Sequence, residues 1–222
     1  MSFLSKKNLL VLSAGAVLCA GIINPFIANA SPEDGFEDGP NPAFRVGQQQ
    51  IEPDKIAQNF SDMCGVDKKE VIAYMNEGVR FKDLSMGTFV AKASGQSLKK
   101  VMDLKMENPD WRGVTKALGV SEEQMKDTHN EIVATMFEDN LDIPQETSLA
   151  LLKKGYQSRD IAIANAFAND TKKSIADVLD LKKVNNRWED VATSLGINEE
   201  TFRKDMDSLR SAIFQHGQFY RE

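Results

Sequence analysis

The chain has 222 residues, of which 27 are basic and 33 acidic, and its formal net charge is −6. An acidic balance disfavours nonspecific attraction to nucleic-acid phosphates or to anionic lipid surfaces. Two cysteines are present, which is too few for the disulfide framework that stabilises many small exported domains.

The first 30 residues have the three parts of a secretory signal peptide. Two lysines form a positive start, an apolar run follows over residues 9–23, and Ala28 and Ala30 fit the small-residue cleavage pattern. We therefore expect cleavage after Ala30 and export to the periplasm or the extracellular space. An uncleaved membrane anchor is the alternative, although the apolar run is near the lower length limit for spanning a bilayer.

Cleavage would change both the charge and the cysteine count. Removing residues 1–30 removes two lysines and no acid, so 25 basic and 33 acidic side chains would remain. The mature chain would keep Cys64 alone, so it could form no internal disulfide. We expect this thiol to be buried or to bridge to a second chain. No stable membrane span is expected after cleavage.

Residues 31–50 differ in composition from the rest of the chain. The stretch Ser31–Pro42 holds four carboxylates, three prolines and two glycines. Such a segment buries too little apolar surface to offset its ordering entropy. The composition therefore predicts a disordered acidic Pro/Gly spacer between the signal peptide and the folded part.

A 77-residue repeat accounts for nearly all of the remaining chain. Residues 52–128 align without a gap on residues 129–205, and about 19 of the 77 aligned positions are identical. The match predicts two helical repeat units, residues 51–128 and 129–205, followed by a C-terminal capping helix and tail over residues 206–222. The repeated residues expected in the structural core are Phe60, Phe137, Phe214, Trp111, Trp188, Leu118, Leu195, Gly119 and Gly196.

Each repeat unit is predicted to contain about five helices. In the segments that begin at Trp111 and Trp188, apolar residues recur at i, i+3, i+4 and i+7, which marks one face of a helix. No alternating strand pattern occurs in the repeats, so the predicted fold class is all-α. In the second unit we expect helices over roughly 129–140, 144–154, 157–169, 174–184 and 187–195, and a long helix from about 199.

Helix ends in the repeats also have sequence signals. Gly119 and Gly196 are expected to end the tryptophan-containing helices, because glycine adopts the left-handed conformation after a helix without strain. Asp110 is placed to cap the first of these helices, and Ser121 and Asn198 are placed to cap the helices that follow. These residues are explained as determinants of the fold.

The segment from Trp188 to Phe202 resembles a bacterial helix-turn-helix. The resemblance lies in a helix, a Leu-Gly-Ile turn, a polar capping residue and a second helix, and the segment from Trp111 to Met125 repeats it. A recognition helix needs basic or amide side chains where it meets DNA, whereas the second helix here opens with two glutamates in each copy. A tandem helix-turn-helix DNA-binding protein is therefore the alternative if the chain is not exported.

The whole unit also resembles a tandem helical repeat of exported bacterial proteins. The residues that carry this resemblance are Gly155, Asp160-Ile161, Trp188 and Leu195-Gly196-Ile197. It covers nearly all of the mature chain. It implies an exported helical-repeat protein and brings no assigned activity.

Polar residues that match between the two units are the candidates for ligand or partner contacts. Their ordinary explanation is capping and surface pairing, which contribute a few tenths of a kcal/mol each. The functional hypothesis is that they form two equivalent binding patches. The residues are Asp83, Asp160, Asp103, Asp180, Lys105, Lys182, Asn108 and Asn185.

Catalysis has little support in the sequence. His129 and His216 do not occupy equivalent repeat positions, and Cys64 has no evident base nearby. No metal-ligand spacing of the Cys-x-x-Cys or His-x-x-x-His kind occurs, and no phosphate-binding glycine loop is present. We therefore predict neither a catalytic residue, a metal nor a cofactor, and keep a periplasmic hydrolase built on carboxylates as a second alternative.

The sequence as a whole favours an exported, non-enzymatic helical-repeat protein with a binding or scaffold role in the cell envelope. The expected partner is a protein or another envelope component, and nucleic acid is not expected. Repeat helices present broad surfaces that suit such contacts.

Overall fold

The computed structural model describes residues 53–209, which form eleven helices and no β-strand. The prediction of an all-α fold is thereby confirmed. The predicted signal peptide, the predicted spacer, Phe214 and His216 lie outside the described residues. None of the described helices is both long and apolar enough to cross a membrane.

The described residues divide into two compact bodies, an N-terminal body over residues 53–132 and a C-terminal body over residues 133–209. The N-terminal body contains α1 (Pro53–Cys64), α2 (Lys68–Asn76), α3 (Phe81–Ser94), α4 (Leu98–Glu107) and α5 (Trp111–Ala117). α6 (Glu122–Leu141) belongs to both, and the C-terminal body continues with α7 (Gln145–Lys153), α8 (Ser158–Thr171), α9 (Ile175–Leu181), α10 (Trp188–Ser194) and α11 (Glu199–Leu209).

Most helix bounds of the two bodies coincide when one is shifted by 77 residues, and α4 and α9 share only their first position. α2, α3 and α5 match α7, α8 and α10 at both ends, α1 ends where α6 ends, and α6 begins where α11 begins. The tandem duplication remains a prediction from the sequence, and these coincident bounds support it.

The left-handed residues that end helices also repeat at this spacing. In the N-terminal body they include Gly65 at φ 70° and Gly95 at φ 64°, and the equivalent residues of the C-terminal body are Asp142 at φ 54° and Lys172 at φ 58°. A side chain disfavours this conformation, so the occurrence of the same φ at Asp142 and Lys172 indicates that the surrounding helices set the turn.

The predicted end of α9 at residue 184 was wrong, because the helix ends at Leu181. Asn186 lies five residues beyond this end, and its side-chain amide both accepts a hydrogen bond from the backbone and donates one to it. Its Oδ1 accepts from the Lys183 N–H at 2.7 Å, and its Nδ2 donates to the Leu181 carbonyl at 2.8 Å. Such local side-chain bonds compete with the helical ladder and end the helix early.

One central helix organises the core of each body. α3 packs against α1, α2 and α4, and α8 packs against α7, α9 and α11. Eight consecutive residues of α3, from Leu84 to Ala91, are buried. Burial of consecutive residues covers all faces of the helix and places α3 at the centre of the body.

The residues expected in the core are buried to different extents. Phe60, Phe137 and Trp188 are buried, whereas Trp111, Leu118 and Leu195 are only partly buried. The expectation that Gly119 and Gly196 lie in the core was wrong, because both are exposed at the turns that follow α5 and α10. Leu118 and Leu195 are the C-cap residues that directly follow the short helices α5 and α10, and the chain turns away at the next residue, a glycine. Their position at the helix end explains the partial exposure.

Candidate functional site

The two matched tryptophans are bonded to two of the matched aspartates. The Trp111 Nε1–H donates to Asp83 Oδ1 at 3.3 Å, and the Trp188 Nε1–H donates to Asp160 Oδ1 at 3.0 Å. An indole N–H that is taken out of water needs an acceptor, and the central helix of each body supplies it. Asp83 and Asp160, predicted as possible partner contacts, therefore hold α5 and α10 in place.

The matched lysines stabilise the segment that leads into each tryptophan helix. Lys105 Nζ donates to the Pro109 carbonyl at 3.2 Å, and Lys182 Nζ donates to the Asn186 carbonyl at 2.7 Å. These bonds satisfy backbone oxygens that no helix satisfies. Lys105 Nζ also lies 5.8 Å from the centre of the Trp111 ring, within cation–π range.

The matched asparagines differ between the two bodies. Asn108 Nδ2 donates to the Leu104 carbonyl at 2.7 Å, and its side chain lies against Gly113, where an added Cβ would stand 2.7 Å from Asn108 Oδ1. The residue equivalent to Gly113 is Asp190, which has a Cβ. Asn185 is accordingly exposed, and the neighbouring Asn186 bonds the equivalent Leu181 carbonyl.

The remaining pair of matched aspartates also makes contacts within its own body. Asp103 accepts from Lys99 Nζ at 2.7 Å, and Asp180 accepts from the Tyr156 hydroxyl at 3.4 Å. Both are surface contacts. Most of the eight matched polar residues thus make hydrogen bonds that stabilise their own body.

Three large apolar side chains are exposed in the segments that lead into the tryptophan helices. We define the corner segments as residues 104–110 and residues 181–187, which are equivalent in the repeat and lead into α5 and α10. Met106 is 81% exposed in the first, and in the second Val184 is 107% exposed and Leu181 39%. These are the large exposed apolar residues of the described chain. The sequence comparison missed Met106 and Val184 because their equivalents are Lys183 and Glu107.

A carboxyl pair is found in the C-terminal body. Asp205 of α11 lies against Asp170 of α8, and its Oδ2 is buried with no hydrogen-bond partner. Burial and the neighbouring Asp170 raise the pKa of Asp205 from 3.8 to about 7, and Lys204 acts in the opposite direction. Sequence reasoning had no signal for this pair, because the residues equivalent to Asp170 and Asp205 are Ala93 and Thr128.

The other side chains that could be reactive, Cys64 and His129, lie in the N-terminal body. Cys64 is buried, and burial raises the pKa of its thiol to about 11. A thiol with this pKa is uncharged at neutral pH and is a poor nucleophile. Burial also lowers the pKa of His129. Within residues 53–209, no group of three or more metal-ligating side chains is suitably placed for a metal ion.

The two helix-turn-helix-like segments fold with the expected turn. The Val120 N–H donates to the Thr115 carbonyl and the Ile197 N–H donates to the Ala192 carbonyl, both at 2.9 Å, across a left-handed glycine. These are the bonds of a Schellman motif. Comparison with protein-family models, with curated proteins and with solved structures gives no match to the chain.

Proposed function

We propose that the chain is an exported, non-enzymatic helical-repeat protein that binds a protein partner or another envelope component as a scaffold. The exposure of apolar side chains in the equivalent corner segments of both bodies carries this proposal. Met106 is 81% exposed and Val184 is 107% exposed. Export is the expectation from the signal-peptide pattern of residues 1–30.

The corner segments are well suited to present these side chains. Their backbones are fixed by bonds from Lys105 and Asn108 in one body and from Lys182 and Asn186 in the other. A rigid backbone reduces the entropy that is lost on binding. Methionine adapts to varied apolar partners and is enriched at interfaces. Single exposed apolar residues are common on proteins, so the support comes from their occurrence in equivalent segments.

Site-specific photocrosslinking in the full chain would test this proposal. A photoreactive amino acid is placed at residue 106 or 184, and the matched controls are Lys116 and Thr193. These are exposed residues on α5 and α10 that are also 77 positions apart. We expect one discrete adduct from 106 and 184 and none from the controls. In a chain crosslinked from 184, the substitution Met106→Asp should reduce that adduct if both corners bind the same partner.

Two outcomes would contradict the binding role. Equal labelling at all four positions would indicate random collisions, and no adduct at 106 or 184 in the native host would leave the corners without a partner. Circular dichroism of each variant would establish that the helices are intact.

A DNA-binding function is the second candidate, because both segments resemble a helix-turn-helix in sequence and both turn at a left-handed glycine. The helices that follow, α6 and α11, carry Glu122, Glu123, Glu199 and Glu200 in their first turns. Carboxylates at this position repel phosphate. Retention of the chain on duplex DNA at low salt, decreasing steeply as salt is added, would favour this candidate over the scaffold.

A further inference from the structure

Aromatic rings join α11 to the centre of the C-terminal body. The ring of Phe202 lies 5.9 Å from that of Phe167 on α8, and Phe167 meets Trp188 edge-on at 5.7 Å. Contacts of this kind add to the free energy gained from burial alone. α11 is therefore attached to α8 through an apolar cluster.

A carboxyl pair lies three residues further along both helices. Asp205 follows Phe202 by three residues, and Asp170 follows Phe167 by three, so each carboxyl lies on the same side of its helix as the ring. The buried Oδ2 of Asp205 has no donor. If both carboxyls are ionised, they repel each other and one buried oxygen stays unpaired; one added proton removes both penalties.

The N-terminal body lacks this pair. The residues equivalent to Asp170 and Asp205 are Ala93 and Thr128, and Thr128 is buried. The repeat fold thus accepts a small neutral residue at both positions. The carboxyl pair is an addition that is specific to the C-terminal body.

We propose that Asp170 and Asp205 form a pH-sensitive contact that holds α11 against α8 in acidic surroundings and weakens as the pH rises to neutral. The proton is shared between the carboxyl groups of Asp205 and Asp170. Loss of the proton weakens the attachment of α11 and favours exposure of the Phe167 ring. The charged groups that act on Asp205 are Asp170 from α8 and Lys204 from α11 itself.

The direction of the effect follows from linkage. The folded-state pKa of Asp205 is raised to about 7, above the ordinary value of 3.8. Between these two values the folded state binds more protons than the opened state, so the attachment weakens as the pH rises through this window. Above about pH 7 the weakening is complete. Asp205 is partly exposed, so we discount the effect for solvent screening to about a tenfold change between pH 5 and pH 8.

Hydrogen exchange on the full chain would test the proposal. The measured quantity is the protection factor of the α11 amides between pH 5 and pH 8, which already corrects for the intrinsic effect of pH on exchange. We expect it to fall about tenfold in the natural chain. The variant Asp205→Thr carries the residue of the equivalent position, and its α11 protection should be nearly independent of pH. Glu200→Gln removes a charge from the same helix and should behave like the natural chain.

A parallel fall in Asp205→Thr, or no fall in the natural chain, would overturn the proposal. A second measurement keeps the test decisive if the variant does not fold. Carboxyl carbon-13 NMR of the natural chain follows the protonation of Asp205 directly. A midpoint near pH 7 is expected, and a midpoint below pH 5 would refute the shared proton.

Discussion

At the scale of single residues, two side chains adopt a conformation that glycine adopts in the equivalent position. Lys172 has φ 58° and ends α8, and its equivalent Gly95 has φ 64° and ends α3. An added Cβ on Gly95 would meet no atom within 4 Å. A side chain at Gly95 would therefore be disfavoured by the backbone conformation and would not clash with a neighbouring atom at its Cβ.

We predict that Lys172→Gly raises the free energy of unfolding by about 1 kcal/mol, because it relieves a left-handed L-residue. The mirror substitution Gly95→Lys should lower it by about the same amount. Urea unfolding of both variants measures the two changes. A loss of stability in Lys172→Gly would show that the lysine side chain makes a compensating contact.

At the residue scale, comparison of the two units singled out aspartates and tryptophans that bond to each other, but it could not predict these bonds. Asp83, Asp160 and both tryptophans were singled out because each residue type recurs at a spacing of 77 residues. The bonds that join Asp83 to Trp111 and Asp160 to Trp188 each span 28 residues. Helical periodicity carries information over a few turns only, so a contact between separate helices was not predictable. The pair Asp170 and Asp205 was missed because the repeat does not share it.

At the scale of elements, the two tryptophan helices begin differently. α5 begins after Asp110, whose Oδ1 accepts from the Gly113 N–H at 2.8 Å. α10 begins after Arg187, whose N–H donates instead to Asp190 Oδ2 at 2.7 Å. One helix is thus capped by the residue before it, and the other bonds back from its first turn.

Removal of the Asp110 cap should lower the free energy of unfolding. We expect Asp110→Ala to cost about 1 kcal/mol, and Asp110→Ser to recover most of it, because serine is also a strong cap. The matched control is Arg187→Ala, which removes no side-chain acceptor and should have a much smaller effect. Thermal unfolding compares the three. An equal loss in Arg187→Ala would mean that the cap at Asp110 is not the cause.

The sequence predicted the N-caps of α6 and α11 correctly, but it misplaced the C-terminal end of α9. The caps Ser121 and Asn198 accept from the Gln124 and Thr201 N–H groups, as their residue types predict. The end of α9 was misplaced by three residues, because Asn186 and Lys182 bond nearby carbonyls in a way that no periodic pattern indicates. An N-cap can be predicted from the residue types next to the helix, whereas a side-chain bond that competes with the helix depends on the folded conformation of the loop.

At the scale of the whole molecule, the all-α class followed from helical periodicity and from the repeat. The location stays a prediction, because the signal pattern lies outside residues 53–209, and the sequence did not identify a partner. Fold class depends on many residues that agree with one another. A binding surface depends on a few, such as Met106 and Val184, whose exposure appears only after folding.

We predict that the native protein begins at Ser31 and is found outside the cytosol. The measurement is the intact mass of the protein from periplasmic, membrane and cytosolic fractions. A mutation of Ala28 and Ala30 to bulky residues should block cleavage and retain the precursor on the membrane. A full-length species free in the cytosol would contradict export and strengthen the DNA-binding alternative.

Because α6 has residues in both bodies, we expect that further repeat units could be added to the chain. The first turns of α6 are equivalent to those of α11 and its last turns to those of α1, so it already contains the junction between successive units. A further copy of residues 130–206 inserted after Met206 would reproduce that junction without any new linker design. Nearest-neighbour repeats tolerate such growth. The number of units, and with it the number of exposed corners, is therefore a quantity that simple gene fusion could set.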